Sequence, residues 1–199
     1  NMNIFWFRRD IREDDNVGLF HALNSDEEVL PIFIFDENIL SQLSKNDARV
    51  TFIHEQLEKI QSELKKYGKS LAVFHGKPIE IFEKLITENK ISSVYTNHDY
   101  EPYARKRDKE MNQLFVSKGI SFLTSKDQVI FEKSEVVKDD GSPYVVYTPY
   151  SKKWKENFKK IKLVHYPSEE KLVKIANHSY PFLTLANIGF EKSEIKVTP

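Results

Sequence analysis

The sequence predicts an α/β fold: an open, doubly wound sheet of five parallel strands, extended at its carboxyl end by a hairpin, a helix and a linker. Three observations predict it. Over the first 125 residues short apolar runs alternate with helix-patterned stretches, which implies parallel strands joined by crossover helices. The runs are apolar almost throughout rather than on alternate residues, as strands are when helices cover both faces of the sheet. Glycines and prolines fall at the joins, where glycine halts a helix and proline opens one.

Met2–Phe7 reads as the first strand. Asp15 or Asn16 offers a side-chain oxygen to cap a short helix reaching about Asn24. Val29–Phe35 reads as the second strand, with Pro31 near its start, where a missing N–H does least harm. Residues 36–46 read as a loop. Ala48 to Tyr67 carries the clearest helical pattern: Val50, Ile53, Leu57, Ile60 and Leu64 fall on one face, and Gly68 stops the helix. Leu71–Phe74 is the third strand. Gly76 turns the chain, and Pro78 opens a helix whose buried face is Ile79, Phe82 and Ile86. Ser93–Thr96 is the fourth strand. Pro102 opens a helix carrying Met111, Leu114 and Phe115, Gly119 ends it, and Ser121–Leu123 is the fifth strand.

After residue 125 the pattern changes. Asp139-Asp140-Gly141-Ser142 is a turn signal between Val136-Val137 and Tyr144-Val145-Val146, which predicts a hairpin. Thr148 and Pro149 can start a helix through about Lys160. Lys152, Lys153, Lys155, Lys159, Lys160 and Lys162 crowd that helix beside Trp154 and Phe158, which suits a solvated face or a contact to DNA or to another domain. From Lys162 onward the chain is polar and weakly periodic, and reads as linker or peripheral wrapping. The divisions expected are thus 1–130, 131–165 and 166–199.

Composition narrows the function. Thirty basic residues balance thirty acidic ones, so no global field holds a polyanion. There is no cysteine, which excludes disulfides, thiolate nucleophiles and cysteine zinc sites. The six histidines lack metal-ligand spacing. No apolar run approaches the roughly 18 residues of a membrane span. Two arginines follow the first strand at once, unlike a signal peptide. A cytoplasmic monomer without membrane contact is expected. There is no phosphate-binding glycine loop and no Gly-x-Ser-x-Gly elbow.

In a doubly wound sheet, ligands bind beyond the carboxyl ends of the strands. That rule selects residues 8–16, 36–49, 75–78 and 97–102. The first loop concentrates charge in Arg8, Arg9, Asp10, Arg12, Glu13, Asp14 and Asp15. It is either an ion-paired loop or a set of guanidinium forks for a phosphate or an acidic ring substituent. In the last loop Asp99 and Glu101 precede a helix amino terminus. They are helix-dipole partners, or acceptors for the N–H edge of a pterin or flavin-like ring. Arg49 opens a helix, where the dipole disfavours it unless an anion lies near. That anion is Asp47, Asp36 or a ligand. Phe35 and its neighbouring strand ends supply an apolar floor.

Together these stretches resemble the DNA photolyase–cryptochrome family. Trp6-Phe7-Arg8-Arg9-Asp10-Ile11-Arg12 with Asp15-Asn16 is similar to its opening signature, and Pro31-Ile32-Phe33-Ile34-Phe35-Asp36 to its second strand. Arg49 to Leu64, then Gly68, Leu71, Gly76 and Pro78, follow its next helix and strand. Asn97 to Arg107 with Asp108 resembles its Asn-x-x-x-Glu-Pro-x-x-x-x-Arg-Asp segment. Pro143-Tyr144, Tyr147-Thr148-Pro149-Tyr150 and Trp154 resemble its Pro-Tyr…Phe-Thr-Pro-Phe…Trp segment. Leu185 to Phe190 resembles the start of its interdomain linker, with Ile188 in place of a leucine.

The resemblance implies a Rossmann-like amino-terminal domain of photolyase type that binds a light-harvesting antenna: a deazaflavin, a flavin or methenyltetrahydrofolate. It implies a helical carboxyl-terminal domain, outside this chain, that holds FAD, docks damaged DNA and repairs pyrimidine dimers under blue light. The chain alone is then not catalytic. Carried over by position, Glu101 matches the acidic residue that contacts the antenna ring, Asp99 and Arg49 match polar contacts of the deazaflavin type, and Arg9 matches an arginine near the pocket. Asp99, Glu101 and Arg49 favour a deazaflavin or flavin held within the domain over a folate in a cleft between domains. The alternatives are the same domain of a cryptochrome photoreceptor, a stand-alone nucleotide- or flavin-binding module, and a domain whose pocket has lost its ligand.

Overall fold

A computed structural model describes residues 1–8, 17–99, 101–125 and 169–195. The strands are β1 (Met2–Phe7), β2 (Glu28–Asp36), β3 (Ala72–Gly76), β4 (Ile91–Asn97) and β5 (Ser121–Ser125). The helices are α1 (Val17–Leu23), α2 (Glu37–Leu40), α3 (Ala48–Lys65), α4 (Pro78–Glu88), α5 (Pro102–Ser117) and α6 (Glu169–Leu172). A 3₁₀ turn covers Ala186–Ile188. The five strands form one sheet in the order β3-β2-β1-β4-β5, every pair parallel. The expected fold class is therefore the observed one. The predicted hairpin and the lysine-rich helix lie outside the described residues.

Alternation along β1 separates two cores. Phe5 and Phe7 face one side with Phe33 and Phe35 of β2, under α1 and α3. Ile4 and Trp6 face the other side with Ile32 and Ile34, under Phe82 and Leu85 of α4 and Met111 and Phe115 of α5. Of the stripe predicted on α3, Val50, Leu57, Ile60 and Leu64 are buried, and Ile53 packs partly buried against the same core. Full burial of each such side chain contributes on the order of 1.5–3 kcal/mol.

The stretch 36–46 is not wholly loop. Asp36 ends β2 and accepts the Asn38 N–H at 3.0 Å, which caps the single turn of α2. On the other side of β1, the Asn97 side chain at the end of β4 accepts the Gly18 N–H at 2.9 Å, so α1 starts against the sheet. Gly18 leaves no space for more: a Cβ there would stand 2.5 Å from Asn97 Oδ1 and 3.0 Å from Phe5 Cε2.

The described tail, 169–195, wraps the sheet. Ile175 pairs in parallel with Val29, beyond the start of β3. Pro181 O accepts the Val73 N–H at 3.1 Å. These contacts cover an edge that would otherwise present unpaired backbone. Leu172, Ile175, Ile188 and Phe190 join the first core, and Tyr180 packs edge-on against Phe74 at 5.4 Å on the second side. His178 fastens this crossing: Nδ1 accepts the Tyr180 N–H at 3.1 Å, so Nε2 carries the proton and donates to Ser70 O at 2.9 Å. That tautomer leaves His178 no lone pair with which to activate the neighbouring Ser70 hydroxyl, and the pair is structural. Among the described residues no helix is long and apolar enough to cross a membrane.

Candidate functional site

The sheet order sets the site. β1 lies between β2 and β4, and the chain leaves toward opposite faces on either side of it, which opens a crevice at the strands' carboxyl ends. There a cavity of about 520 Å³ is lined by Phe35, Arg49, Asp99 and Glu101 together. Four of the five residues singled out from the sequence thus share one pocket, although they lie on three separate segments. Arg9, the fifth, lies outside the described residues.

Each side chain is placed by its local structure. Phe35, near the end of β2, is buried with its ring edge-on to Phe33 at 4.8 Å and parallel to the His54 ring at 6.3 Å. It forms the floor with Phe33 and Trp6. Asp99 is buried, and its Oδ1 accepts the Glu101 N–H at 3.1 Å, which orders the turn into α5. Glu101 is the cap residue of α5, but its side chain makes no capping bond; its exposed carboxylate stands at the rim. Asp99 shapes the turn, and Glu101 lines the pocket beside it.

Arg49 sits at the mouth, its side chain 68% exposed, and its partner is Asp47. Nε donates to Asp47 Oδ1 at 3.0 Å and Nη2 to Oδ2 at 2.7 Å. Asp47 also caps α3 by accepting the Arg49 N–H at 2.9 Å. The dipole cost of an arginine here is thus offset within the protein. The guanidinium hydrogen bond holds the Asp47 carboxyl below its ordinary range and raises Arg49.

The charged loop after β1 resolves differently for Arg8. Its side chain is 2% exposed and faces Asp108 of α5 with both terminal nitrogens, Nη1 donating to Oδ2 at 2.8 Å and Nη2 standing 2.7 Å from Oδ1. Burial lowers its pKa, and Asp108 opposes that shift. Arg8 is thus an internal ion pair and has no fork to spare for a phosphate. Its guanidinium lies 4.5 Å from the Trp6 ring centre, and that of Arg107 lies 4.9 Å from the same ring. The buried Nε atoms of both arginines lack an oxygen or nitrogen acceptor among the described residues. Both guanidiniums make cation–π contacts with the Trp6 ring.

Asp36, Tyr103 and Arg107 also line the pocket and were not among the site residues read from the sequence. Asp36 is buried and receives the Tyr103 hydroxyl at 2.7 Å and Arg107 Nη1 at 3.3 Å. Burial and then the Asp36 bond raise the Tyr103 pKa, so it remains a donor at neutral pH. Tyr103 and Arg107 stand four apart on α5 and share a face, a spacing that was visible in the sequence. Their partner, 67 residues away from Tyr103, was not. With Arg8 matched to Asp108 and Arg107 to Asp36, both buried guanidiniums have a carboxylate partner within the protein.

A family model described as DNA photolyase matches residues 3–170. The deoxyribodipyrimidine photo-lyase of Synechococcus sp. (strain ATCC 27144 / PCC 6301 / SAUG 1402/1) is 31% identical over 151 residues, 76% of this chain and 31% of that protein. An archaeal photolyase from Sulfolobus tokodaii, solved with two FAD molecules, superposes with a TM-score of 0.65 at 29% identity, covering 78% of this chain and 35% of that one. A bacterial class III photolyase from Agrobacterium tumefaciens superposes with a TM-score of 0.67 at 26% identity, covering 98% of this chain and 37% of that one. The chain spans about a third of the length of the curated photolyases it matches. A crevice at the β1 switch point, the order of the strands and the matched segments agree, and the chain belongs to the DNA photolyase family as its amino-terminal α/β domain.

Proposed function

We propose that this domain binds a light-harvesting chromophore in the crevice beyond β1, β2 and β4, and serves a deoxyribodipyrimidine photolyase whose FAD lies in a separate helical domain. The observation that carries the reading is the convergence of Phe35, Arg49, Asp99 and Glu101 on one cavity of about 520 Å³. That size falls within the usual 300–1,000 Å³ of a small-molecule pocket, and an apolar floor with a few polar groups at the rim is the usual lining. The residues present fit a flat heteroaromatic ring. Phe33 and Phe35 offer apolar contact, Glu101 and Asp99 accept from ring N–H groups, and Arg49 closes the mouth. Arg9 joins the set by the resemblance alone.

A bound chromophore supplies light absorption and passes its excitation to the flavin. The protein's part is to hold it rigidly, and no nucleophile or general base is needed. A flavin or deazaflavin is the reading favoured here over methenyltetrahydrofolate. The second FAD reported for the Sulfolobus relative, for which a novel light-harvesting cofactor was inferred, supports it. Damaged DNA is met by the complete protein, which acts as a monomer in the cytoplasm.

The test is to purify the protein from the cells that make it, extract its chromophores, and identify them by spectrum and mass. A second chromophore besides FAD, lost from Glu101→Ala while FAD stays bound, is the expected result. Absence of any antenna, together with failure to bind added riboflavin, 5-deazariboflavin or methenyltetrahydrofolate, overturns the reading. Repair of pyrimidine dimers under blue light separates a photolyase from a cryptochrome photoreceptor.

A further inference from the structure

We infer, resting on the chromophore reading of this pocket, that Tyr103 is a clasp that governs exchange of the bound ring and, with Ile39, forms the apolar lip over it. The argument starts from the sheet. Asp36 ends β2 and Asn38 follows it, whereas Tyr103 follows β4, and β1 lies between those strands. Strand spacing puts the two sides about 10 Å apart. The Tyr103 side chain spans the gap: its hydroxyl donates to Asp36 Oδ2 at 2.7 Å and receives Asn38 Nδ2 at 3.4 Å. One side chain thus ties the first turn of α5 to the β2–α2 turn across the crevice.

The clasp is braced from beneath. Arg107 donates to the same Asp36 oxygen at 3.3 Å, and its guanidinium lies 5.7 Å from the Tyr103 ring centre. Asp36 keeps Arg107 and the Asn38 N–H as partners if the tyrosine hydroxyl is removed, so Tyr103→Phe opens the clasp without orphaning a buried carboxylate.

Exposure supplies the second, independent observation. Tyr103 is 40% exposed and Ile39 42%, and both line this pocket. The other large exposed apolar residues described, Val116, Leu123, Val173 and Ile195, line none of it. Two exposed apolar groups beside the hydrogen-bonded strap are placed to cover the face of a planar ligand that the floor supports from below.

The experiment compares wild type, Tyr103→Phe and Ile39→Ser. Each is titrated with riboflavin, 5-deazariboflavin and methenyltetrahydrofolate, and the tightest binder is then followed on dilution by its own fluorescence and by tryptophan emission, since Trp6 lines the pocket. Tyr103→Phe should release the ligand about tenfold faster, the worth of one hydrogen bond to a charged group. Ile39→Ser should release it several-fold faster with its melting temperature close to wild type, whereas Tyr103→Phe also loses the few degrees that its hydrogen bond to Asp36 contributes. A purely structural tyrosine would move the melting temperature and not the release rate. Unchanged release rates in both variants overturn the clasp and leave the chromophore reading standing. A wild-type protein that binds none of the three probes overturns both.

Discussion

Gly18→Ala tests how α1 is held against the sheet. An alanine is normally the better helix residue, by about 1 kcal/mol over glycine. Here its Cβ would stand 2.5 Å from Asn97 Oδ1 and 3.1 Å from Asn97 Cγ, with Phe5 Cε2 at 3.0 Å behind. An ordinary carbon–oxygen contact is about 3.3 Å or more, so close to 1 Å must be recovered. Neither neighbour gives easily, because Asn97 is 1% exposed and Phe5 fully buried. If α1 backs away, the buried Asn97 oxygen loses the Gly18 N–H and costs about 1–3 kcal/mol. Overpacking against Phe5 adds a similar amount. With the propensity gain subtracted, the expected loss is about 3 kcal/mol. For a chain of this length that lowers the melting temperature by roughly 6–12 °C. Urea unfolding and a thermal melt measure it. Because Asn97 is two residues from Asp99, chromophore affinity should fall in the same variant. A Gly18→Ala protein as stable as wild type, or more stable, would refute the close-approach argument.

Two further outcomes follow from the buried charges, beside the loss of antenna occupancy expected for Glu101→Ala. Asp108→Asn leaves the Arg8 guanidinium, 2% exposed, without its counter-charge, and should cost about 3–5 kcal/mol in urea unfolding. Arg8→Met with Asp108→Leu, which removes both charges, should recover much of that loss. The third concerns alkali. Burial and Asp36 raise the Tyr103 pKa above its unfolded value of 10.0, so the protonated tyrosine contributes its full stability below that pH and loses it as pH rises through the folded value. A urea titration across that range should therefore fall more steeply for wild type than for Tyr103→Phe; Tyr95 and Tyr180, also raised by burial, contribute equally to both proteins.

How much of this was legible in the sequence depends on the range of the signal. Apolar runs and 3–4 spacing are local, so five strands and the α3 stripe could be read directly, with ends off by a residue or two. Strand order is a long-range property. Even so, the rule that ligands sit beyond strand carboxyl ends picked out loops bearing Arg49, Asp99 and Glu101, beside the strand end at Phe35, and the fold brings those four to one cavity. What escaped depends on partners distant in sequence. The Asp36–Tyr103 bond joins residues 67 apart, and the Arg8–Asp108 pair joins residues 100 apart. The α2 turn was hidden for a different reason, since one turn is too short for periodicity and rests on a single cap from Asp36.

Arg8 shows where a local signal was present and unread. Alternation along β1 sends Ile4 and Trp6 to the α4–α5 side, and Arg8, the next even residue, continues the same row. A charge in that row must be buried beneath a helix, and a buried guanidinium requires a carboxylate partner on the covering element. The Arg107-Asp108 pair of α5 is where such a partner was to be sought. Arg9 enters the candidate site by the resemblance alone, whereas Arg8 is committed to Asp108. Measuring antenna occupancy in Arg9→Ala against an Arg8→Ala control, with stability recorded for both, distinguishes a binding loss from an unfolding one.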